Sequence, residues 1–163
     1  MPGQKIVYDT LDSMKISYRI FEHKPMFSKD DPPDGGFEED AVISKNLFLR
    51  NAKGNEHYLV VEPLEDTADL KALSEKLGTS RLSFASAERL DKYLGVKPGS
   101  VSAFTILNDK NSEVTVVFSN KLKNVQKFGL HPNENTATIY MKFDDVLSVV
   151  QAHGNRVIFL DTD

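Results

Sequence analysis

The stretch DAVISKNLFLRNAKGNEHYLVVEP, residues 40–63, decides the fold because it predicts two paired strands with a polar interruption in the first. The apolar runs on either side of AKGN have the composition of strands, and Gly54 suits the positive φ of a tight hairpin turn. Lys45 and Asn46 stand inside the first run, although lysine is rarely buried without a partner. The side chain of Lys45 is therefore expected to point either to water or into a site.

The rest of the pattern predicts an α/β (α+β) domain. Helical periodicity appears near the N-terminus, after Thr67 as a helix cap, and before three glycines that are typical helix stops, Gly78, Gly95 and Gly154. Further strands are expected in ISYRIF (16–21), VSAFTIL (101–107), EVTVVFS (113–119), NVQKFGLHP (124–132), TATIYMKF (136–143) and RVIFL (156–160). Hairpins outnumber regular strand–helix alternation, so we expect a central mixed, mostly antiparallel sheet of about seven strands with surrounding helices.

Length and charge limit the class of protein. A chain of 163 residues suits a single domain, residues 1–163, and a net charge of −4 argues against broad nonspecific nucleic-acid binding. A small basic patch that contacts one end of an RNA remains compatible with that charge. No window approaches the roughly 18 apolar residues of a membrane span, and the first 15 residues lack the apolar core of a signal peptide. We expect a cytoplasmic protein with no membrane partner.

Several kinds of chemistry are disfavoured by what the sequence lacks. It has no cysteine, and its four histidines are scattered without an HExxH motif, so neither a thiolate nor a metal site is expected. The motifs GxSxG, GxxxxGK[ST] and GxGxxG are also absent. The only visible arrangement for nucleophilic catalysis would be hydroxyls near His131, and no cofactor is predicted.

Three segments are poorly explained by packing alone: Lys45 with Asn46, PGSVSA at 98–103, and GLHPNENTATI at 129–139. Gly99 permits close approach of a ligand to the backbone, whose N–H groups would hold a carbonyl or an oxyanion. The turn around Pro132 leaves His131 and Thr136 as polar groups at strand ends. Taken singly, each segment also has an ordinary structural interpretation: Lys45 as a surface lysine, PGSVSA as a turn, and His131 as a turn histidine.

Together and in this order, these segments resemble the prolyl-tRNA editing family, which includes the freestanding YbaK, ProX and PrdX types. The resemblance covers nearly the whole chain and is carried by KNLFL (45–49), YLGVKPGSVSAF (93–104), ILND (106–109) and HPNENTATI (131–139). The first and last of these runs are closest to the ProX branch. The resemblance implies a hydrolase that removes a wrong amino acid from tRNA(Pro), without metal or covalent intermediate, with help from the 2′-hydroxyl of the tRNA.

The resemblance also assigns roles to residues. Lys45 matches the family's near-invariant lysine, expected to bind the acceptor end and orient the ester, and Asn46 matches a polar neighbour that positions the substrate. The substrate-holding GxxxP loop of the family matches Gly99, Ser100, Val101, Ser102 and Ala103, where Ala103 replaces the usual proline. The opposite wall of the pocket is assigned to His131, Asn135 and Thr136. A regular strand would send Lys45 and Asn46 to opposite faces, so we expect a bend or bulge there, or a strand that begins after Lys45.

The expected function is trans-editing of Ala-tRNA(Pro), cleaving the aminoacyl ester to free alanine and tRNA. A site made for proline discriminates weakly against alanine, since missing methylenes forfeit only about 1 to 3 kcal/mol, and a second, smaller site supplies the rest. The alternatives are deacylation of Cys-tRNA(Pro) or another small aminoacyl-tRNA, or a non-catalytic aminoacyl-tRNA-binding regulator, which the change at Ala103 motivates. The expected partner is the acceptor end of mischarged tRNA(Pro), with prolyl-tRNA synthetase left open as a second. The acidic loop at 28–40 is interpreted as a lid or an amino-acid discriminator rather than an RNA-binding surface.

Overall fold

The sheet at the centre of the molecule has eight strands, and the computed structural model describes residues 2–24 and 37–162. The strands are β1 (Arg19–Glu22), β2 (Val42–Arg50), β3 (His57–Pro63), β4 (Ser83–Phe84), β5 (Val114–Ser119), β6 (Phe128–Leu130), β7 (Ala137–Met141) and β8 (Val157–Leu160). The helices are α1 (Pro2–Ser13), α2 (Leu70–Leu77), α3 (Ala87–Leu94) and α4 (Phe143–His153), with 3-10 helices at Ala103–Asn108 and Asn120–Leu122. None of the helices in these described ranges is both long enough and apolar enough to span a bilayer.

The strand order is β1-β7-β6-β2-β3-β5-β8, with β4 paired to β2. Strand β2 is antiparallel to β3 and β4, and β7 is antiparallel to β1 and β6. The pairs β2–β6, β3–β5 and β5–β8 are parallel. The predicted fold class, a mixed and mostly antiparallel sheet with surrounding helices, is confirmed, with the short β4 as a strand that the pattern did not predict.

The hairpin of β2 and β3 is regular. Its pairing runs without interruption from Ser44 opposite Pro63 to Arg50 opposite His57, and Gly54 in the turn has φ 71°. Strand β2 begins at Val42, before Lys45, so the expectation of a bulge or of a late strand start is wrong. Lys45 and Asn46 therefore do point to opposite faces of the sheet.

The two faces of the sheet pack against different helices. One face carries the larger core, in which Phe48, Leu59 and Val116 lie with buried residues of α1, α3 and α4. The other face packs Leu49 and Val60 against Leu73 of α2. Side chains alternate along β2, so Asn46 lies on the same face as Phe48 and Lys45 lies on the same face as Leu49.

The segment VSAFTIL is not the predicted strand, because it forms the start of a 3-10 helix at Ala103–Asn108. Ser102 caps this helix: its Oγ accepts a hydrogen bond from the Phe104 N–H at 3.1 Å, while its carbonyl accepts one from Thr105 Oγ1 at 2.6 Å. Phe104 and Ile106 are fully buried in the larger core. Local capping and this burial outweigh the strand preference of the β-branched residues.

Most of the helix ends lie where the sequence predicts them. The predicted stops at Gly78, Gly95 and Gly154 are the C-cap residues of α2, α3 and α4. The start of α2 differs from the prediction, because Asp69 rather than Thr67 accepts the capping hydrogen bond, from Ala72 N–H at 3.0 Å.

His57 belongs to the packing of the larger core. It is 4% exposed, its ring packs against those of Phe48 and Tyr93, and its Nε2 accepts a hydrogen bond from Arg89 Nη1 at 3.1 Å. Burial and, secondarily, the positive charge of Arg89 lower the pKa of His57 to about 4. The neutral imidazole is therefore the form that the folded state stabilises.

Stability is expected to fall as the pH drops below about 6.5, because the unfolded chain then binds a proton that folded His57 does not bind until about pH 4. The contribution is fully present above pH 6.5 and is lost towards pH 4, by at most about 3 kcal/mol at 1.36 kcal/mol per pH unit. Urea unfolding at pH 7.5, 6, 5 and 4.5 measures it. The variant His57→Gln keeps an acceptor for Arg89 without titrating and is expected to show a smaller fall; an equal fall in both proteins would contradict this assignment.

Candidate functional site

A cavity of about 320 Å³ opens where β2 and β6 separate. These two strands pair at Val42 with Phe128 and at Ile43 with Gly129. The residues that follow these pairs in the chain, Ser44 to Asn46 and Leu130 to His131, then border the cavity. The complete described lining is His23, Phe37, Ile43, Ser44, Lys45, Asn46, Leu64, Gly99, Val101, Gly129, Leu130, His131 and Thr138.

The cavity brings together five of the residues predicted for the site: Lys45, Asn46, Gly99, Val101 and His131. Lys45 and Asn46 both border it although their side chains leave opposite faces of β2. This is possible because β2 has no β6 neighbour beside it at these positions, so the cavity lies at the open edge of the strand. No irregularity of β2 is needed.

Lys45 lies at the cavity with its ammonium held by oxygen atoms. It faces Glu62 across the hairpin, with 3.8 Å between Lys45 Nζ and Glu62 Oε1, and Nζ donates a hydrogen bond to the carbonyl of Asp66. The Lys45 side chain is 27% exposed whereas that of Glu62 is fully buried. Thr162 Oγ1 donates to Glu62 Oε2 at 3.4 Å from the other side. These contacts hold the Lys45 ammonium in place at the border of the cavity, where its side chain is partly exposed.

Asn46 offers the cavity an acceptor. Its Nδ2 donates to Ser44 Oγ at 3.4 Å, while its Oδ1 is buried and accepts no hydrogen bond from the described residues. A buried acceptor without a donor costs about 1 to 3 kcal/mol, which a ligand N–H or O–H would recover.

Two histidines form the opposite wall. His23 Nδ1 donates to the carbonyl of Lys24 at 2.7 Å, and its Nε2 lies 2.9 Å from the Thr138 hydroxyl oxygen. Burial, together with nearby His23, lowers the pKa of His131 to about 4. The imidazole of His131 is therefore uncharged at neutral pH.

Some residues of the segment PGSVSA line the cavity, and others are buried and hold the loop in place; we call the buried, hydrogen-bonded residues the frame. Gly99 has φ 93°, a value that favours glycine, and with Val101 it borders the cavity. Ser102 is fully buried away from it and donates from Oγ to Asn133 Oδ1 at 3.0 Å. Asn133 Nδ2 in turn donates to the carbonyl of Phe104 at 3.2 Å. These bonds fasten the loop of Gly99 to the loop of His131.

Ala103 is 1% exposed and is the first residue of the 3-10 helix rather than part of the lining. The first position of a helix is where proline is well tolerated. Alanine in place of the family's proline therefore changes conformational freedom at a helix start, at a position outside the described lining of the cavity.

Ser100, Asn135 and Thr136 were assigned to the site by resemblance but are not among the described lining residues. Ser100 closes a turn with its N–H bonded to the carbonyl of Lys97 at 3.1 Å. Thr136 accepts a hydrogen bond from Gln4 Nε2 at 3.4 Å and, through its carbonyl, one from the His23 N–H at 2.9 Å. Thr136 thus connects the wall to α1 and to the segment after β1.

The cavity also contains residues that sequence reasoning missed. His23 reaches it because β1 pairs with β7 more than a hundred residues later, with Phe21 opposite Thr138, and no local signal shows such a pairing. Gly129 did carry a signal, as a glycine inside a predicted strand. A Cβ on Gly129 would lie 2.6 Å from Ile43 Cδ1 and 3.1 Å from Tyr140 Cε1, so glycine allows the strands to meet there.

The acidic loop assigned to residues 28–40 is described only from residue 37, and residues 28–36 lie outside the described part. Phe37 borders the cavity. Glu38 is held beside it by Arg19, with Nη2 to Oε1 at 2.6 Å, by Lys127 at 3.6 Å, and by a hydrogen bond from its N–H to the Tyr140 hydroxyl at 3.1 Å. These contacts fix the position of Phe37 in the wall.

Within residues 2–24 and 37–162, no group of three histidine, aspartate or glutamate side chains is placed to hold a metal ion. The chemistry that the cavity offers consists of an ammonium, an amide oxygen, two imidazoles and hydroxyls around an apolar interior. Such a set is suited to binding a small polar ester with an apolar side chain and holding it for attack by water.

The chain is similar to known proteins. Residues 35–149 match the aminoacyl-tRNA editing domain family. Over 155 residues the chain is 43% identical to the prolyl-tRNA editing protein ProX of Acetoanaerobium sticklandii, covering 95% of this chain and 94% of that protein. It is 27% identical to the mouse prolyl-tRNA synthetase associated domain-containing protein 1, covering 94% and 92%.

The fold has solved counterparts. A crystal structure of a candidate trans-editing enzyme for prolyl tRNA synthetase superimposes with a TM-score of 0.71 at 16% identity, over 100% of this chain and 99% of that one. At that identity the likeness concerns the fold. The family match and the ProX relative carry the assignment: the chain belongs to the aminoacyl-tRNA editing domain family, and the predicted enzyme class, an aminoacyl-tRNA deacylase, is confirmed.

Proposed function

We propose that this protein edits tRNA(Pro) in trans and that the amino acid it removes is alanine. The observation that carries the proposal is the cavity of about 320 Å³ with Lys45 and Asn46 on one wall and His131 on the other, in a chain 43% identical to a prolyl-tRNA editing protein. Its apolar part, formed by Ile43, Leu64 and Val101, suits a methyl side chain. The proposal requires these residues to leave too little room for the larger ring of proline.

In this proposal the charged and polar groups divide the recognition of the ester. The Lys45 ammonium faces the negative groups at the end of the RNA, and Asn46 Oδ1 accepts a hydrogen bond from the α-ammonium of alanine. The backbone beside Gly99 lies close enough to the cavity to contact the aminoacyl group. Each contact fixes the ester relative to an attacking water, and positioning of this kind supplies several kcal/mol of catalysis.

The hydrolysis itself needs no covalent intermediate on the protein. Water adds its oxygen to the acyl carbon, and the ester bond to the terminal ribose breaks. The ribose oxygen recovers a proton, while the adjacent 2′-hydroxyl of the tRNA helps to activate the water. Because His131 is neutral, the Lys45 ammonium is the group that stabilises the oxyanion in this proposal.

The proposed partner is the acceptor end of mischarged tRNA(Pro), and prolyl-tRNA synthetase is the proposed source of this substrate. The proposed place of action is the cytoplasm, where such a substrate would be made.

Replacing Lys45 by alanine is expected to lower kcat/KM for Ala-tRNA(Pro) by about 100-fold or more, because the ammonium that orients the ester is lost. Release of labelled alanine under single-turnover conditions measures the effect. Lys53→Ala in the exposed hairpin turn is the matched control and should keep full activity. Tight binding of Ala-tRNA(Pro) by the wild type without any release would instead favour the non-catalytic regulator.

Specificity is expected to depend on Phe37, which borders the cavity. Phe37→Ala enlarges the space for the amino acid, so hydrolysis of Pro-tRNA(Pro) should rise at least several-fold while hydrolysis of Ala-tRNA(Pro) changes less. A panel of Ala-, Cys- and Pro-tRNA(Pro) with both proteins measures this. A wild type that prefers Cys-tRNA(Pro) would replace alanine by cysteine as the substrate.

Glu62 is expected to act as a positioning residue for Lys45. Glu62→Gln preserves the shape but removes the charge 3.8 Å from Lys45 Nζ, so kcat should fall by about 10-fold with a smaller change in KM. Glu65→Gln changes an exposed acid three residues away and is the matched control. Equal activity of the two variants, with the fold verified by circular dichroism, would show that Glu62 does not position the ammonium.

A further inference from the structure

A second concave region lies next to the cavity on β1, β6 and β7. It is a surface groove of about 400 Å³, and the residues that matter here are Ser17, Arg19, Gln126, Lys127, Tyr140 and Lys142, which we call the basic groove. Three of the six are cations, and the others offer hydroxyl and amide hydrogen-bond donors. No acidic residue is among the described residues that line it.

The register of the sheet explains why these cations converge. Arg19 of β1 lies opposite Tyr140 of β7, and its guanidinium carbon is 5.8 Å from the centre of the Tyr140 ring. Phe128 of β6 lies opposite Met141, so Lys127 and Lys142 follow as the next pair. Cations from three separate parts of the chain are thereby placed on one face.

One oxyanion already contacts two of these cations. The Glu38 carboxylate lies 2.6 Å from Arg19 and 3.6 Å from Lys127, although the two side chains are 61% and 36% exposed. The side chain of Lys142 is exposed as well and brings a third positive charge. Among the lining residues and their ion-pair partner Glu38, three cations face one carboxylate, which leaves these groups with a positive balance on a protein whose net charge is −4.

The groove is adjacent to the cavity. Thr138 lines the cavity and Tyr140 lines the groove, and the two residues lie on the same face of β7 about 7 Å apart along the strand. Gly129, which also borders the cavity, is the cross-strand partner of Tyr140. The groove is therefore within reach of a chain whose end lies in the cavity.

We propose that the basic groove binds phosphates of the RNA strand whose aminoacylated 3′ end enters the cavity. The inference rests on the proposed function, because it takes the ligand of the cavity to be an aminoacyl ester at the end of an RNA. Phosphodiesters repeat along that strand once per nucleotide and match cations at the edge of the site. The contacts are to phosphate rather than to bases, so they position the acceptor end without reading its sequence.

The test measures how binding of uncharged tRNA(Pro) depends on salt. Each phosphate contact removed should lower the slope of log Kd against log salt by about 0.7 to 0.9. Lys142→Gln is the cleanest variant, because Lys142 precedes α4 without a side-chain capping bond. The double variant Lys127→Gln/Lys142→Gln should lose about twice as much slope. Lys53→Gln/Lys110→Gln, two exposed lysines outside the described linings of cavity and groove, should keep the wild-type slope.

A second measurement separates the groove from the catalytic proposal. Hydrolysis of Ala-tRNA(Pro) is compared with hydrolysis of 3′-alanyl-adenosine, which keeps the ester but has no phosphates. The groove variants should raise KM for Ala-tRNA(Pro) several-fold and leave the small ester unaffected.

Three outcomes would be decisive against one proposal or the other. Unchanged salt slopes in the groove variants would overturn the groove even if alanine is released normally. Equal losses on both substrates would also overturn it, because the variants would then have disturbed the cavity. If the wild type hydrolyses neither substrate, the proposed function fails, whereas a reduced salt slope with uncharged tRNA would still support the groove.

Discussion

The cross-strand pair of Lys45 and Glu62 is the constraint on which the site depends. A fully buried carboxylate is costly unless a cation and hydrogen bonds compensate it, and here Lys45, 3.8 Å away, and Thr162 lie beside it. Because the pair sits directly across the hairpin, its geometry is set by the register of β2 and β3 rather than by a loop. The ammonium reaches the cavity from a strand paired along its length with β3, which is the arrangement that a positioning mechanism needs.

The cavity exists because the sheet is incomplete between β2 and β6. Two paired positions hold the strands together, and beyond them the backbone edge of β2 is available to a ligand instead of a neighbouring strand. The edge explains how two consecutive residues of one strand serve the same site. It also places Lys45 on one side of the opening and the neutral His131 on the other, so that the substrate lies between unlike environments.

The sequence was sufficient for the fold class, the central hairpin and the helix stops, which follow from local chemistry such as the turn at Gly54 and alternation along β2. The family resemblance, rather than local pattern, named the five residues that line the cavity. The 3-10 helix at Ala103–Asn108 was missed because burial of Phe104 overrides local preference. His23 and Phe37 were missed because their places depend on long-range contacts, of β1 with β7 and of Glu38 with Arg19 and Lys127.

The bonds from Ser102 to Asn133 and from Asn133 to Phe104 divide the two loops into a frame and a lining. The frame residues are buried and bonded to one another, whereas Val101 and Leu130, close to them in the chain, border the cavity with apolar side chains alone. Substitutions in the lining can therefore alter the volume available to an amino acid without breaking a buried polar contact. In evolutionary terms, a protein built this way can drift from one small amino acid to another through single apolar exchanges, since each intermediate keeps its frame and still folds.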